Sequence, residues 1–519
     1  MNDDKKYLLT IDNGTQSVRA LVFDLDGQLV AKSKIEIEAY FSEQPGWAEQ
    51  HAEYFWDKLC QACQQLWRQL DIPKAAIQAV ALTTQRATVV NLDSDGKPLR
   101  PAIVWLDQRE QQELPGMGGW GPVLALAGAG ASIRSFRSQA EANWIKAQQP
   151  DIWRRTAKFL LLSGYHSYKL TGDYVDSVAS QVGYLPFDFK RQQWAGARDW
   201  KWKALPITPQ QLPELVPAGG LLGHFSVKAA AETGITAGLP LISAGADKAC
   251  EVLASGCLNP TTGSHSYGTT ATYNTVDSRY MEIIRQVPAY PAAMPHTYNS
   301  ETIVQRGYWM VNWFKREFGQ PEQSLAAERG IEPEALFEEL LRQVPPGSMG
   351  LVLQPYWSPG LRVPGPEAKG AIIGFGDIHT RAHIYRAIIE GLGYALRDGR
   401  ERHEKRSGYK IDSLKVSGGG SQSDQAMQIT ADIFGLTAER PHTYETSGLG
   451  AAINAAVGTG LYPDYQTAVE RMTHKGRCFH PIPKNVRIYD QLYKEVYSKL
   501  YGRLETLYKS IRGITGYPA

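Results

Sequence analysis

The sequence predicts an α/β protein of more than one domain. Three observations predict it. Short apolar runs that read as strands alternate with longer stretches whose apolar residues recur at helical spacing. Two strand pairs are broken by turns of similar chemistry, Asp12-Asn13-Gly14-Thr15 near the start and Gly268-Thr269-Thr270 past the middle, which hints at internal duplication with a second unit beginning near residue 257. The length, 519 residues, corresponds to about two to four domains.

The elements follow in order. Leu8 to Ile11 and Ser17 to Phe23 are apolar runs flanking a polar turn, a β-hairpin pattern. The backbone N–H groups of a Gly-containing turn can cradle an anion, and a carboxylate beside that cradle would want a magnesium ion between itself and a phosphate. An ordinary Asn-Gly turn with no function explains the same residues. Asp24-Leu25-Asp26-Gly27 is a second turn, and 28–37 a third strand. Over 52–70, Phe55, Leu59, Ala62, Leu66 and Leu70 line one helical face. Strands follow at 77–82, ending at Thr83-Thr84-Gln85-Arg86, then at 89–92 and 103–105. Residues 111–135, rich in Gly and Ala, read as an irregular insertion or mobile loop. Helical patterns cover 139–148 and 157–170. The Trp- and Pro-rich stretch 187–217 has no clear period.

In the second half, 240–247 is a strand ending in a glycine turn and Asp247, with a helix starting at Lys248. Residues 264–274 read as a strand pair interrupted at Gly268-Thr269-Thr270, and 309–318 and 333–341 as helices. Leu351 to Leu353 leads into a loop at 356–360, and 370–374 is a short strand. Over 382–400, Ile384, Ile388, Leu392 and Leu396 mark an amphipathic helix. A strand at 414–416 opens into Ser417-Gly418-Gly419-Gly420-Ser421-Gln422-Ser423-Asp424 and then a helix at 425–434. Such a glycine cluster at a helix start seats nucleotide phosphates or adenosine, or simply lets elements pack closely. Residues 448–459 form an Ala-rich helix suited to close packing, and 490–511 a packed terminal helix.

Composition excludes several classes. Lys and Arg total 55 against 53 Asp and Glu, a net charge of +2, which gives no basis for nucleic acid or an anionic membrane as the main partner. No apolar run approaches the roughly 18–20 residues of a membrane helix. The polar start has no apolar signal core, so the expected location is cytoplasmic. Five cysteines are too few for a disulfide scaffold. Cys60 and Cys63 lack a second ligand pair for zinc and read as buried helix residues.

Two Gly-Thr turns, a carboxylate at a strand end and a glycine cluster opening a helix together suit phosphoryl transfer, which asks for a phosphate cradle, a magnesium-side carboxylate and a base for the acceptor hydroxyl. The chain resembles the FGGY carbohydrate kinases, a family that includes glycerol kinase and xylulokinase. The resemblance runs from about Tyr7 to Tyr462. It rests on Asp12-Asn13-Gly14-Thr15-Gln16-Ser17-x-Arg19, Thr83-Thr84-Gln85-Arg86, Ala102 to Arg109, Gly245-Ala246-Asp247, Tyr267-Gly268-Thr269, Lys369 to Gly374, Arg386 to Gly391 and Ser417-Gly418-Gly419-Gly420.

The resemblance implies two actin-like (ribonuclease-H-like) ATPase domains with an interdomain cleft: 1–256 binding sugar and 257–519 binding ATP. It implies ATP and Mg2+ as cofactors, a small sugar or polyol as substrate, and leaves a homodimer open. By position, Asp247 matches the catalytic base and also falls near the metal, and Asp12 matches the magnesium carboxylate. Thr15, Arg19 and Thr269 fall on ATP-phosphate positions. Gly419 and Ser423 fall near the adenosine, as does Asn312 after a one-residue shift. Arg86, Trp105 and Asp107 fall on or beside sugar-binding positions.

Three departures bear on substrate. Gln85-Arg86-Ala87 stands where glycerol kinases read Gln-Arg-Glu, which counts against glycerol, and the Met-His of xylulokinases is missing nearby. Lys248 follows the base where Gln or Asn is usual. Glu141 occupies a place usually held by Lys. The expected reaction is phosphorylation of a primary hydroxyl, with a pentulose favoured. Arg86 and Lys248 together leave room for a sugar acid. The rival is a non-catalytic actin-like ATP-binding sensor or scaffold. For single residues the alternatives are a helix cap at Asp247, a core position at Trp105, a surface ion pair at Arg86 and a solvated helix position at Lys248.

Overall fold

The structure is a computed structural model that describes residues 5–358, 360 and 364–517. The chain forms two compact units. The first takes in the chain up to Gly256, then Asp277–Asn299 and Glu445–Thr473; the second takes in Cys257–Val276, Ser300–Tyr444 and the chain from His474 onward. The first unit thus closes its opening segment at Gly256, and two later segments return to it.

The first unit is built on a sheet of six strands: β1 (Tyr7–Asn13), β2 (Ser17–Asp24), β3 (Leu29–Glu36), β4 (Ile77–Thr84), β5 (Leu221–His224) and β6 (Pro240–Ser243). Their order across the sheet is β5-β6-β4-β1-β2-β3. The β1–β2 and β2–β3 pairs are antiparallel, whereas β4 runs parallel to both β1 and β6. Every residue of β1 is buried, as expected of a strand inside a sheet covered on both faces. One cover is the helix Ala52–Gln69, whose Phe55, Trp56, Leu59, Cys60, Ala62, Cys63 and Leu66 are buried. Cys60 and Cys63 are therefore packing residues, and both are free thiols. The other is the helix Thr446–Gly458, which the chain supplies only after leaving the second unit. Its small residues let it sit against backbone. A Cβ on Gly450 would come within 2.0 Å of the Cys250 carbonyl oxygen, and one on Gly448 within 2.2 Å of Leu21 Cδ1.

The second unit repeats the plan. Six strands of its main sheet are β7 (Thr262–Tyr267), β8 (Ala271–Asp277), β9 (Tyr298–Val304), β10 (Ser413–Ser417), β11 (Ala438–Pro441) and β12 (Lys475–Phe479), ordered β9-β8-β7-β10-β11-β12, and a seventh, the short strand Tyr290–Pro291, adds to the edge at β9. Again a first hairpin is antiparallel, its first strand pairs in parallel with a later one, a second parallel strand follows, and an antiparallel strand closes the edge. The internal duplication hinted at by two Gly-Thr turns is thus a duplication of sheet topology. The helix Arg381–Ser407 crosses this unit's core, with Ile388, Leu392 and Leu396 buried.

Several sequence readings change. Residues 111–135 are not simply irregular: helices span Trp120–Leu126 and Gly130–Gln139, although Val123 and Leu126 stay exposed. The helical reading of 157–170 splits into a strand, Lys158–Leu161, and a helix, Leu162–Thr171. The strand pairs with Val89–Leu92; a short apolar run such as Phe159 to Leu162 satisfies either period. The stretch 187–217 contains a two-stranded pair, Phe187–Asp188 with Gln193–Trp194. The single terminal helix read at 490–511 is instead two, Pro483–Leu492 and Ser498–Thr515, joined through a π turn at Tyr493–Tyr497. The loop at 356–360 includes Pro359, which lies outside the described residues. Among the described residues no helix is long and apolar enough to cross a membrane.

Packing at the returning helix predicts opposite outcomes for two glycines. Gly450→Ala should lower stability by about 1–3 kcal/mol through overpacking against immovable backbone. Gly502→Ala, in the helix Ser498–Thr515 with nothing within 4 Å of the added carbon, should raise it by about 0.5–1 kcal/mol. Thermal unfolding of the two variants beside the parent protein checks both signs.

Candidate active site

Parallel strands put their carboxyl ends on one edge of a sheet, and open α/β sheets bind ligands there. In the first unit this edge collects the residues singled out from sequence. Asp12 lies near the end of β1, Gln85 and Arg86 follow β4, and Asp247 follows β6. Local hydrogen bonds hold these ends: Gln85 N donates to Asn13 O at 2.9 Å, and Thr83 Oγ1 donates to Gly245 O at 2.9 Å. The His166 ring nitrogen Nε2 lies 2.9 Å from Asn13 Oδ1. Burial pushes His166 down to about 3, so this ring is neutral.

Asp12 is fully buried. The hairpin register sets Arg19 opposite it, and Arg19 Nη2 reaches Asp12 Oδ2 at 2.8 Å. Arg19 Nη1 meanwhile donates to Glu445 Oε2 at 2.7 Å, and the other Glu445 oxygen accepts from Lys32 Nζ. Burial pushes the Asp12 carboxyl up to about 6; Arg19 opposes this, and the charges of Asp247, Glu445 and Glu251 add to it. Burial also favours a neutral Glu445, but Arg19 and Lys32 together hold it below the usual carboxylate range.

Asp247 opens the helix Asp247–Ala254, with Ala246 at the N-cap position and no side-chain cap there. The cap reading therefore does not account for Asp247, although its Oδ1 accepts from Lys248 N at 2.7 Å. Burial raises its carboxyl above the ordinary value, with Arg86 and then Lys248 pulling it back. Lys248 Nζ donates to Glu251, so its charge is met within its own helix.

Among the expected sugar-side residues, the Arg86 guanidinium sits over the Tyr290 ring at 5.7 Å. Ala87 beside it adopts φ 52°, a left-handed conformation costing a non-glycine residue about 1–2 kcal/mol. Trp105 is 38% exposed, and its Nε1 donates to Thr15 Oγ1 at 3.0 Å, so it is a surface group tied to the first turn and not core. Asp107 is already engaged. One oxygen accepts from Arg109 N and Nε at 2.9 and 2.7 Å; the other accepts from Ala48 N and Arg109 Nη2, both at 2.6 Å. Arg109 in turn lies between Trp47 and Trp144, at 4.0 and 4.5 Å from their rings. Glu141, the departure noted above, is half-buried, and burial pushes it up to about 8.

The second unit contains a cavity of about 560 Å³ lined by Thr269, Asn312, Gly419 and Ser423 among others. All four residues expected near nucleotide in this half of the chain thus share one cavity. The glycine cluster has divided roles. A Cβ on Gly420 would lie 2.2 Å from the Tyr308 ring, and Gly418 has φ +82° against the Tyr267 backbone, whereas Gly419 has open space beside it. Two glycines serve packing and one leaves the cavity wall bare. Tyr267 and Tyr308 stack at 4.6 Å, and the Ser423 hydroxyl caps the next helix by accepting from Ala426 N at 3.0 Å.

Among the described residues no three His, Cys, Asp or Glu side chains group as a metal cage. A magnesium ion shared with phosphates and water needs only one or two carboxylates. Asp12 fits that use, because Oδ1 is buried with no hydrogen-bond partner among the described residues, and neighbouring carboxylates already favour a cation there. Four residues were not among those singled out from sequence. Gln85 has both side-chain amide atoms buried with no partner among the described residues, Tyr290 faces Arg86, and Glu445 with Lys32 completes the Asp12–Arg19 cluster. A buried amide beside Arg86 could have been suspected from its motif; the Glu445 pairing had no local signal.

Comparisons with known proteins match nearly the whole chain. The model of the FGGY family of carbohydrate kinases, N-terminal domain, matches residues 7–254, and that of its C-terminal domain matches 263–459. The uncharacterized sugar kinase YgcE of Escherichia coli (strain K12) is 30% identical over 518 residues, covering 97% of this chain and 95% of that protein. A xylulose kinase of Lactococcus lactis subsp. lactis (strain IL1403) is 28% identical over 502 residues, covering 95% and 96%. The crystal structure of gluconate kinase from Lactobacillus acidophilus shares the fold with a TM-score of 0.82 at 20% identity, covering 98% of this chain and 100% of that one.

The Asp12 environment predicts a pH-dependent penalty. Its carboxyl is raised from 3.8 to about 6, so its protonated form favours folding below the unfolded value, and that contribution is lost as pH rises through about 6. Asp12→Asn should therefore stabilise the ligand-free protein at about pH 8 by up to about 3 kcal/mol, seen as a raised melting point, and lose most of that advantage near pH 4. Melting curves at both pH values decide; an equal difference at each would place the effect elsewhere.

Proposed function

We propose that this chain, which belongs to the FGGY family of carbohydrate kinases, moves the γ-phosphoryl group of ATP onto a primary hydroxyl of a small sugar, ketose or polyol, with a pentulose as the favoured substrate. The observation that carries the reading is Asp247. It stands at the ligand-binding edge of the first unit's sheet, with a carboxyl raised by burial and tempered by Arg86. A buried carboxylate so placed is positioned to take the acceptor's proton as a base.

In the step proposed, the acceptor O–H bond breaks and its proton passes to Asp247. The freed oxygen bonds the γ-phosphorus as the bond to the ADP oxygen breaks. Arg86 and Trp105 orient the sugar, and Gln85 offers an unpaired amide to its hydroxyls. Asp107 acts through Arg109 as a positioning residue, since its oxygens are taken. Thr15, Arg19 and Thr269 face the phosphates; Asn312, Gly419 and Ser423 wall the nucleoside. Asp12 would hold magnesium together with the phosphates, with Asp247 close enough in charge to assist. When bound, that ion neutralises charge on the phosphate oxygens. The first unit carries the sugar side and the second the ATP side. A cytoplasmic location, and a homodimer if the chain assembles, complete the reading.

The substrate reading follows charge. Lys248 is engaged by Glu251, which weakens the case for a sugar acid, and the 28% identical xylulose kinase supports a ketose.

An ATP-coupled screen of pentuloses, polyols and sugar acids tests this. The expected result is turnover of a ketose or polyol, with Asp247→Ala lowering kcat by about 10²–10⁴-fold. Full activity of that variant would remove Asp247 as the base, and no phosphorylated acceptor from any class would remove the kinase reading.

A further inference from the structure

The cluster around Arg19 contains more than a phosphate-facing arginine and a metal-side carboxylate. Arg19 divides one guanidinium between two acids, Nη2 to Asp12 at 2.8 Å and Nη1 to Glu445 at 2.7 Å. Its Nε is buried with no partner among the described residues, as is Asp12 Oδ1. Neither Arg19 nor Asp12 is therefore used to capacity. A guanidinium facing a single carboxylate can bind it through two parallel N–H groups; here the second acid prevents that.

Glu445 lies 426 positions along the chain from Arg19, at the point where the chain re-enters the first unit. It occupies the N-cap position of the helix Thr446–Gly458, yet its side chain makes no cap hydrogen bond. A side-chain oxygen at that position normally accepts from the helix's first turn. Instead, one Glu445 oxygen takes Arg19 and the other takes Lys32. The backbone beneath it is fixed, because Gly448 and Gly450 of the same helix lie against Leu21 and Cys250 too closely to admit a methyl group. Lys32, whose side chain is 38% exposed, approaches from β3 at the sheet's edge.

We propose that Glu445 and Lys32 are positioning residues that set how far Arg19 neutralises Asp12, and thereby how readily Asp12 accepts magnesium. This rests on the assignment of Asp12 to the metal side. Glu445 draws one edge of the guanidinium away and leaves Asp12 Oδ1 unpaired for a cation. Lys32 competes for Glu445 and limits that pull. Losing the Glu445 charge lets Arg19 turn wholly to Asp12, and a metal must then displace it. Losing Lys32 lets Glu445 hold Arg19 with both oxygens, which opens Asp12. The two changes act in opposite directions, whereas a merely structural role would weaken metal binding in both.

The test uses the full chain with Mn2+ as an EPR probe in the presence of a non-hydrolysable ATP analogue. Glu445→Gln should weaken Mn2+ binding by about five- to tenfold, the lower part of the usual range for coupled sites. Lys32→Met, a change at an exposed side chain that spares the core, should tighten it by about two- to threefold. NMR of the Arg19 guanidinium in the ligand-free protein gives a readout without metal or nucleotide: rotation about its Nε–Cζ bond should slow in Glu445→Gln as both edges engage Asp12. Shifts of the same sign in both variants, or none in either, overturn the proposal. Asp12→Asn separates the premises. If it abolishes Mn2+ binding while Glu445→Gln and Lys32→Met match the parent, this inference alone fails. If Asp12→Asn binds Mn2+ like the parent, the metal-side reading fails and the inference falls with it.

Discussion

A carboxylate enclosed by protein needs a cation beside it, and Asp12 meets Arg19 because the β1–β2 register sets those residues directly opposite each other. Much of the site follows from that pairing. The turn from Gly14 to Gln16 must be of the length that keeps the register, since a slip of one residue would send every side chain on the strand to the other face. β1 must lie inside the sheet, where it also pairs with β4 and carries the chain end bearing Arg86 to the same edge. Even with Arg19 in place, burial leaves Asp12 raised to about 6. Burial thus leaves a cost that the Arg19 pairing does not remove.

The same sheet plan appears twice, and each copy uses its hairpin turn and strand ends differently. In the first unit the strand ends present carboxylates and Arg86. In the second, the turn after β7 and the glycine cluster after β10 wall a cavity together with Glu334 and Glu338 from a helix, and Tyr267 on Tyr308 forms part of its lining. One topology thus presents two different sets of residues, because the edge is set by strand direction and its lining by the residues on the connecting loops.

Periodicity and turn chemistry carry far in this chain. The buried face of the helix Ala52–Gln69, the hairpins, the strand-to-helix turn at Asp247 and the small-residue helix at 446–458 all follow from local pattern. The misreadings have local causes too. Phe159 to Leu162 satisfies both periods, and only its pairing with Val89–Leu92 decides for a strand at its start. Glycine and alanine between 111 and 135 suggested irregularity, but helices form there. Residue types singled out Asp12, Asp247, Thr269 and Gly419 as candidates. They could not show that Asp107 is consumed by Arg109 and Ala48, nor that Lys248 is met by Glu251, because the partner of a charge depends on three-dimensional neighbours.

The amino-acid sequence by itself determined the fold class, the duplication, the family and the residue types that could cradle phosphate and accept a proton. These properties depend on spacing along the chain and on turn residues, which act over a few positions. Only the tertiary structure decided which charges remain available. Glu445 reaches Arg19 across 426 positions of sequence, and Thr15 meets Trp105 across 90. No local period encodes such pairs. They arise because strand order and close helix packing bring remote segments to one sheet edge, where burial strengthens every charge–charge interaction.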